Sequence, residues 1–286
     1  MPPNIDAPDI DKPNINAVLE PLDVKSIRKY LDSLGVDDIR DIQAFSSIPS
    51  TNDYLLEHES ESNKVMVCVA EQQTQGRGRY GHQWVSPPTV NLYLSMSWLL
   101  PVWEQKHESL CLWLLIALAE FLEELGCENI QLKWPNDICA ENKKLAGVLI
   151  ERKVGKSGNK LIIGVGLNVA MSLKKDVDIE TQWIDLHTIK PNWSLSRNEL
   201  AASVVAIFTK TLSQINNNEL TDLSSEWSRY DILLNKEVNF LYKNEVAKGC
   251  VKGIDELGQI IVDLDGSLEH LHSAHVSKIK CTGKIL

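Results

Sequence analysis

Residues 71–84 read EQQTQGRGRYGHQW, and glycine alternates with arginine in this segment. Gly76, Gly78 and Gly81 match the Gly-x-Gly-x-x-Gly pattern of dinucleotide-binding proteins, but that pattern must open a helix. Here the chain runs on to Pro88 through a Ser-Pro-Pro sequence, which cannot begin an amphipathic helix. A kinase glycine loop is excluded as well, because the sequence contains no His-Arg-Asp or Asp-Phe-Gly triplet.

The alternation of glycine with arginine indicates a binding segment for an anionic ligand. Glycine lets the backbone approach a ligand closely, and arginine supplies a planar, permanently charged fork for phosphate or carboxylate. A flexible, cationic loop of this kind suits a ligand that orders it on binding. A solvated surface loop is the alternative that the segment leaves open when it is taken alone.

Hydrophobic periodicity on both sides of the segment predicts a mixed α+β domain. A buried strand, Val65–Val69, precedes it, and Asn91–Trp98 follows as a strand with one face toward solvent. Ser50 is a good N-cap for a short helix that starts after it. The other predicted strands are Ile42–Phe45, Ile130–Trp134, Lys144–Lys153 and Leu161–Val169, and the predicted helices are Leu22–Leu34, Glu108–Leu125, Leu200–Ile215 and Leu220–Tyr230.

The last part of the chain has a different pattern, in which short strands are separated by tight turns. These strands are predicted at Glu237–Tyr242, Ala247–Ile254, Ile260–Leu264 and Leu268–Leu271, which is typical of a small β-barrel or sandwich. We therefore divide the chain into a loose N-terminal tail at 1–21, a mixed-sheet α+β domain at 22–233 and a small β-domain at 234–286.

The charge balance argues against nucleic-acid binding. The 286-residue chain has 29 Lys and Arg against 39 Asp and Glu, a net charge of −10 that repels a phosphate backbone. Its six cysteines include no Cys-x-x-Cys pair, which predicts reduced, structural thiols and no metal site of that type. We expect a cytoplasmic protein without membrane contact, because neither a signal peptide nor a membrane-spanning stretch is present.

Four motifs, taken in order, resemble those of biotin–protein ligases. Residues 71–84 resemble the adenylate-binding loop of that family, although the family usually has an arginine where this chain has His82. The Asn-Leu-Tyr sequence that ends at Tyr93 also fits the family. The other motifs are a Ser-Thr-Asn segment at 50–52, Lys-Trp-Pro-Asn-Asp and Lys-Leu-Ala-Gly segments at 133–137 and 144–147, and a Gly-x-Gly-x-Asn strand at 164–168.

The resemblance implies a class II synthetase-like catalytic domain followed by a small SH3-like β-barrel. It implies that biotin and ATP form biotinyl-5'-AMP, with Mg²⁺ as the cofactor, and that biotin then passes to a lysine of a carrier protein. The expected carrier is a biotin carboxyl carrier protein, a subunit of acetyl-CoA carboxylase. The expected state of the enzyme is a monomer or a homodimer.

The resemblance also implies roles for individual residues. Charge neutralisation during catalysis is expected of Arg77, Arg79 and Lys144. Biotin contacts are expected of these three cationic residues and of Ser50, Thr51, Asn52, Gln73, Gly76, Gly78, Tyr93, Gly147, Gly164 and Gly166. Nucleotide contacts are expected of Arg79, Trp84, Lys133, Asn136 and Asn168, and Asp137 is expected to hold Mg²⁺.

Three other functions fit these motifs less well. A DNA-binding repressor is rejected, because only about twenty residues precede the first predicted helix, where a winged helix-turn-helix needs roughly sixty. A lipoate or octanoate transferase shares the fold, but the Gly-Arg-Gly-Arg and Lys-Trp-Pro-Asn-Asp segments favour biotin. An inactive carrier-binding module is disfavoured by the intact cationic residues. Single motifs also have structural alternatives: a helix cap at Ser50, a turn at 135–137, and core packing of Trp84 and Tyr93.

Overall fold

The computed structural model describes residues 18–59, 64–174, 179, 181–242 and 245–282. Within these residues the chain forms a seven-stranded sheet with helices and a separate five-stranded sheet. The first sheet contains β1 (Ile39–Phe45), β2 (Val65–Ala70), β3 (Asn91–Leu100), β4 (Ile130–Lys133), β5 (Asp137–Ala140), β6 (Lys143–Gly155) and β7 (Gly158–Asn168). The second contains β8 (Glu237–Tyr242), β9 (Glu245–Ile254), β10 (Ile260–Leu264), β11 (Ser267–Leu271) and β12 (Val276–Cys281). The helices are α1 (Val24–Ser33), α2 (Thr51–Glu57), α3 (Leu110–Glu124), α4 (Leu186–Ile189), α5 (Arg197–Asn216) and α6 (Leu223–Ser228).

The larger sheet is mixed, and its strand order is β1-β2-β3-β7-β6-β5-β4. β1 and β2 are parallel, and every other neighbouring pair in this sheet is antiparallel. The smaller sheet is antiparallel, with the order β11-β10-β9-β8-β12. The predicted α+β class, with a mixed-sheet domain followed by a small β-domain, is thus confirmed. The exact domain boundaries, 22–233 and 234–286, stay predictions.

Strand β3 lies inside the larger sheet, between β2 and β7, and the prediction that one of its faces is exposed to solvent is wrong. The strand is buried at nearly every position and contacts both α2 and α5. Its alternating polar side chains form buried hydrogen bonds instead of facing water. Ser97 accepts a bond of 3.1 Å from the amide of Met66, and Asn91 accepts one of 3.0 Å from the amide of Val169. Buried polar groups need such partners, so the polar alternation reflects internal bonding.

Three short elements were not predicted from the sequence. These are β5, β12 and α4. Trp134, predicted as the end of a strand, instead begins the turn that joins β4 to β5. Helix α6 is shorter than the predicted helix at 220–230, because Asp222 adopts a left-handed φ of 61° and caps the helix.

The described end of the N-terminal segment is packed against the larger domain. Val18 is buried, and the backbone carbonyl of Glu20 accepts a hydrogen bond of 2.9 Å from Arg197. The prediction of a loose tail therefore does not hold for residues 18–21, whereas residues 1–17 lie outside the described part of the chain.

The cysteines agree with the sequence prediction, since all six are free. Burial raises the pKa of the Cys68, Cys111 and Cys139 thiols to about 12, so they are protonated and unreactive at neutral pH.

Among the described helices, none combines the length and hydrophobicity needed to cross a membrane.

The second sheet is held against the first domain near the start of α3. The indole Nε1 of Trp134, a buried residue, donates a hydrogen bond of 2.9 Å to the carbonyl of Gly258. Gly258 also approaches Leu112 so closely that a Cβ there would lie 2.8 Å from a leucine methyl carbon. Nearby, His272 Nε2 is 3.4 Å from a carboxylate oxygen of Glu108. The two domains therefore meet in a close-packed contact.

Gly258→Ala is predicted to destabilise the protein more than Gly266→Ala. Both glycines have left-handed φ values, 77° and 92°, so alanine costs about 1 kcal/mol of backbone free energy at either position. Only Gly258 has a neighbour in the way, because no atom lies within 4 Å of the Cβ position at Gly266. Overpacking adds roughly 1–3 kcal/mol at Gly258. Urea unfolding measures both losses, and equal losses would contradict the contact with Leu112.

Candidate active site

A cavity of about 840 Å³ lies between the larger sheet, the glycine–arginine loop (residues 73–88) and strand β12. The four predicted motifs all contribute to its lining. Of the predicted site residues, only Gly76, Tyr93 and Asn168 are not part of the lining; those that line it are Ser50, Thr51, Asn52, Gln73, Arg77, Gly78, Arg79, Trp84, Lys133, Asn136, Asp137, Lys144, Gly147, Gly164 and Gly166.

The lining is strongly cationic, although the whole chain carries a net charge of −10. Its charged members are one carboxylate, that of Asp137, and the side chains of Arg77, Arg79, Lys133, Lys144, Lys278 and Lys280. Lys278 and Lys280 lie on β12 and were not predicted, because no local sequence signal brings the last strand to this cavity. Positive charge in a concave site attracts and retains anions.

The glycine–arginine loop forms a hairpin, which is more regular than the flexible loop that was predicted. The amide of Gly78 donates 2.7 Å to the carbonyl of His82, and the amide of Trp84 donates 2.9 Å to the carbonyl of Gly76. Tyr80 and Gly81 form the tip with left-handed φ values of 55° and 75°. Gly76 is required for close approach, because a Cβ there would lie 2.7 Å from the carbonyl oxygen of Trp84.

The tip of this hairpin is bonded to the second domain. Arg79 donates a hydrogen bond of 2.6 Å to the carbonyl of Ser273, and the Tyr80 hydroxyl donates one of 2.5 Å to the same oxygen. The Tyr80 hydroxyl is also 3.0 Å from the carbonyl oxygen of Val276. Tyr80 was not among the predicted site residues. These contacts close one side of the cavity with residues far away in sequence.

The charge of Arg77 is offset by protein carboxylates. Its guanidinium contacts Asp53 and lies 3.2 Å from Glu151. Glu151 also accepts a hydrogen bond of 2.7 Å from the side-chain amide of Asn52. Arg77 thus links the hairpin to the start of α2 and to β6, and less of its charge is available to a ligand than the sequence predicted. Asp53 and Glu151 were not predicted for the site.

The Ser-Thr-Asn segment has both a structural and a site-forming role. Ser50 caps α2, since its hydroxyl accepts a bond of 3.3 Å from the amide of Asp53. Thr51 donates through its amide and its hydroxyl to Gln73 Oε1, at 2.9 and 3.0 Å.

Ser95, a buried residue of β3, completes this network and was missed because it resembles any polar residue of a strand. Its hydroxyl is 2.7 Å from Thr51 Oγ1 and 2.6 Å from Asn52 Oδ1. The result is a connected group of uncharged donors and acceptors at one end of the cavity.

Glycines in β6 and β7 leave room for side chains to lie close against the sheet. A Cβ at Gly164 would clash with the Asn52 amide, and one at Gly166 would clash with the indole of Trp84. Gly147, paired with Gly166 across the strands, would bring a Cβ to 3.2 Å from the same indole. Glycine in a strand indicates close approach of another group, and here the groups are Asn52 and Trp84. The Trp84 Nε1 atom is buried without a hydrogen-bond partner among the described residues.

Lys144 and Asp137 lie at the other end of the cavity. Lys144 Nζ is 2.7 Å from Asp137 Oδ1 and 5.0 Å from the centre of the Trp84 ring. The Asn136 amide donates 3.0 Å to the carbonyl of Val148, which anchors the turn to β6. In the described residues, no group of three or more His, Cys, Asp or Glu is arranged as a metal cage. A single carboxylate still fits Mg²⁺, which binds through one or two carboxylates with water and substrate phosphates.

Tyr93 and Asn168 lie outside the cavity lining and form hydrogen bonds with the backbone of segments next to it. Tyr93 is buried, its hydroxyl donates 2.9 Å to the carbonyl of Pro87, and burial raises the pKa of the phenol. Asn168 donates to the carbonyls of Lys144 and Ile184, at 3.2 and 3.1 Å. Neither residue lines the cavity, and the Tyr93 hydroxyl and the Asn168 side-chain nitrogen are bonded to backbone carbonyls, so the ligand contacts expected of them stay predictions.

Two family models match the chain. Residues 44–168 match the Biotin/lipoate A/B protein ligase family, and residues 233–278 match the Biotin protein ligase C terminal domain. The second match, together with the five antiparallel strands, confirms the small SH3-like domain predicted at the end of the chain.

Curated relatives and solved structures agree with these matches. The chain is 33% identical over 260 residues to Bifunctional ligase/repressor BirA of Escherichia coli, covering 90% of this chain and 79% of the relative. It is 28% identical over 254 residues to Biotin--[acetyl-CoA-carboxylase] ligase of Mycobacterium tuberculosis, covering 86% of this chain and 91% of the relative. The biotin protein ligase of Aquifex aeolicus in complex with biotin and ATP superimposes with a TM-score of 0.70 at 26% identity, covering 85% of this chain and all 100% of that chain. The chain therefore belongs to the biotin protein ligases of the Biotin/lipoate A/B protein ligase family.

Proposed function

We propose that this protein converts biotin and ATP to biotinyl-5'-AMP and then transfers the biotin to a lysine of a carrier protein. The proposal rests on one cavity in which an uncharged hydrogen-bonding network and a cationic cluster lie side by side. Biotin needs both environments, because its ureido ring is neutral whereas its carboxylate must meet the phosphates of ATP.

The uncharged end of the cavity suits the ureido ring, which has one carbonyl acceptor and two N–H donors. Thr51, Asn52 and Gln73 line the cavity and offer both donors and acceptors, and the buried Ser95 hydroxyl holds Thr51 and Asn52 from behind. Their mutual bonds fix their orientation, so a bound ring would exchange one set of hydrogen bonds for another at small net cost. Gly164 supports this end because it leaves space for Asn52 against the sheet.

The cationic end suits the carboxylate and the phosphates. Lys144, Lys133 and Arg79 would offset the negative charge that accumulates when two anionic groups are brought together. Asp137, with the neighbouring Asn136, would hold Mg²⁺, which supplies further neutralisation on phosphate oxygens. We propose that Trp84 stacks on the adenine, since its ring lies against Gly166 and its Nε1 has no hydrogen-bond partner among the described residues.

The chemistry proposed for this site is two successive substitutions. A carboxylate oxygen of biotin attacks the α-phosphorus of ATP, the bond to the bridging oxygen breaks, and pyrophosphate leaves. The amine of the carrier lysine then attacks the acyl carbon of the mixed anhydride, AMP leaves, and the amine proton passes to solvent. The protein aligns the reactants and stabilises the developing charge. The Cys111 and Cys139 thiols, with pKa values of about 12, are too weakly acidic to serve as nucleophiles.

The partner and setting are proposed from the sequence and the family. We propose a biotin carboxyl carrier protein as the acceptor, a monomer or homodimer as the active form, and the cytoplasm as the location. Absence of DNA binding also stays a prediction, because several matched relatives are described as ligase/repressors. A gel-shift assay on operator DNA tests it.

Carrier biotinylation is the direct test of the proposed function. The protein, biotin and MgATP are predicted to add one biotinyl group to a biotin-carrier domain, measured by intact mass. Reactions without ATP, or with lipoate in place of biotin, should leave the carrier unmodified. Modification by lipoate but not by biotin would overturn the substrate, and modification by neither would overturn the proposed activity.

Arg79→Gly is predicted to release biotinyl-5'-AMP from the site. The substitution removes a charged group of the lining and the 2.6 Å bond that joins the hairpin tip to Ser273. Loss of a charge-assisted hydrogen bond is expected to raise the release rate of the intermediate by a factor of roughly ten or more. Mass spectrometry of the filtrate measures the released biotinyl-5'-AMP. Tyr80→Phe is the matched control, because it loses a bond to the same carbonyl but keeps Arg79. Retention of the intermediate by Arg79→Gly as tightly as by the wild type would contradict the sealing role of the hairpin.

A further inference from the structure

Arg197, the first residue of α5, is fully buried and does not line the cavity. A permanently charged guanidinium in such a position is costly unless it is paired and hydrogen-bonded. Its pairing partner is Glu71, which lies shortly before the glycine–arginine loop (residues 73–88) in the chain. The two side chains form a bidentate pair, with distances of 2.6 Å and 3.1 Å between the guanidinium nitrogens and the carboxylate oxygens.

Arg197 contacts the other end of the loop as well. One guanidinium nitrogen donates a hydrogen bond of 3.3 Å to the carbonyl of Asn91, where β3 starts after the loop. The amide of Thr89 donates 3.2 Å to the carbonyl of Glu71, so the two ends also touch each other directly. A single buried side chain thus bonds to Glu71, shortly before the loop, and to Asn91, shortly after it.

The loop ends are connected to the biotin end of the cavity by short paths. Gln73 follows Glu71 closely in the chain, and its Oε1 accepts both bonds from Thr51. At the other end, the carbonyl of Pro87 is bonded to the hydroxyl of Tyr93 on β3. A shift of either loop end would therefore move Gln73, a member of the uncharged hydrogen-bonding network, or the strand β3 beneath that network.

We propose that Arg197 is a positioning residue for biotin binding, which acts by fixing both ends of the glycine–arginine loop. Stability alone does not explain the pair, because a buried ion pair is often no more stabilising than apolar residues of similar volume. An apolar side chain could fill the same space, but it could not donate to Glu71 and to the Asn91 carbonyl in defined directions. The proposal rests on the proposed function, since it concerns the binding of biotin.

The neighbouring residue Asn198 provides a matched control. It is also buried, and it lies in the same first turn of α5. Its side chain bonds only to the N-terminal segment in the contacts described: the amide of Asp23 at 2.9 Å, the carboxylate of Glu20 at 2.8 Å and the carbonyl of Pro21 at 3.0 Å. Removal of Asn198 therefore loosens the same helix end without touching either loop end.

The test compares a double variant, which combines Arg197→Met and Glu71→Gln, with the single variant Asn198→Ala. The double variant removes both charges together, so its urea midpoint should stay close to that of the wild type. Its KM for biotin should rise about tenfold with little change in kcat, because the binding loop is displaced while the reacting groups remain. Trypsin should also cleave at Arg77 and Arg79 several-fold faster, which reports loop position without any biotin chemistry. Asn198→Ala should lower the urea midpoint while it keeps the wild-type KM and cleavage rate.

A stable double variant with wild-type KM and wild-type cleavage would overturn the proposal. The same holds if Asn198→Ala raises the KM and the cleavage rate as much as the double variant does, because the effect would then follow general loosening of α5. If the double variant does not fold, Arg197→Lys, which keeps the charge but loses the fork, should still show a raised KM and faster cleavage, and wild-type values would refute the idea. Failure of the wild type to form biotinyl-5'-AMP would refute the proposed function, and the cleavage rates would still decide whether Arg197 fixes the loop.

Discussion

The site depends on the absence of side chains from the middle of a central β-strand. Gly164 and Gly166 lie on β7, and Gly166 pairs with Gly147 on β6, so part of the sheet surface is bare backbone. Glycine weakens a strand by roughly 0.5–1 kcal/mol at each position, yet no other residue leaves space for Asn52 and Trp84 to lie on the sheet. Without these glycines, which form the floor of the cavity, neither the uncharged hydrogen-bonding network nor the Trp84 indole could occupy its present place. Side chains would then fill the cavity.

The remaining walls bring positive charge to this floor from distant parts of the chain. The glycine–arginine hairpin bends over the sheet, and its tip is bonded to the backbone of Ser273 in the second domain. Strand β12 of that domain contributes Lys278 and Lys280. An acidic protein thereby concentrates cations at one concave place, which attracts and retains anions. The small domain is therefore a part of the site and not only an appendage of the catalytic domain.

Much of this could be predicted from the sequence, and the exceptions have physical reasons. Long periodic elements such as α3 and β7 were identified correctly, and most of the motif residues lie together at one cavity. The prediction that one face of β3 is exposed to solvent was wrong. Alternating polar residues form the same sequence pattern whether they face water or, like Ser95, form hydrogen bonds inside the protein. Asp53, Tyr80, Glu151 and Lys280 were missed, because their roles arise from contacts between segments far apart in sequence. Arg197 was missed for the same reason, since its partner Glu71 is remote in the chain.

Isothermal titration calorimetry on Gly164→Ala and Gly166→Ala tests the glycine floor most directly. The account predicts a crossed result: Gly164→Ala crowds Asn52 and should weaken biotin binding with little effect on ATP, whereas Gly166→Ala crowds Trp84 and should weaken ATP binding more than biotin binding. Each change should reach at least about tenfold in Kd, because neither clash can be relieved without moving a ring or an amide. Equal weakening of the same ligand by both variants, or wild-type affinities in both, would contradict the claim that the two glycines support two halves of one site.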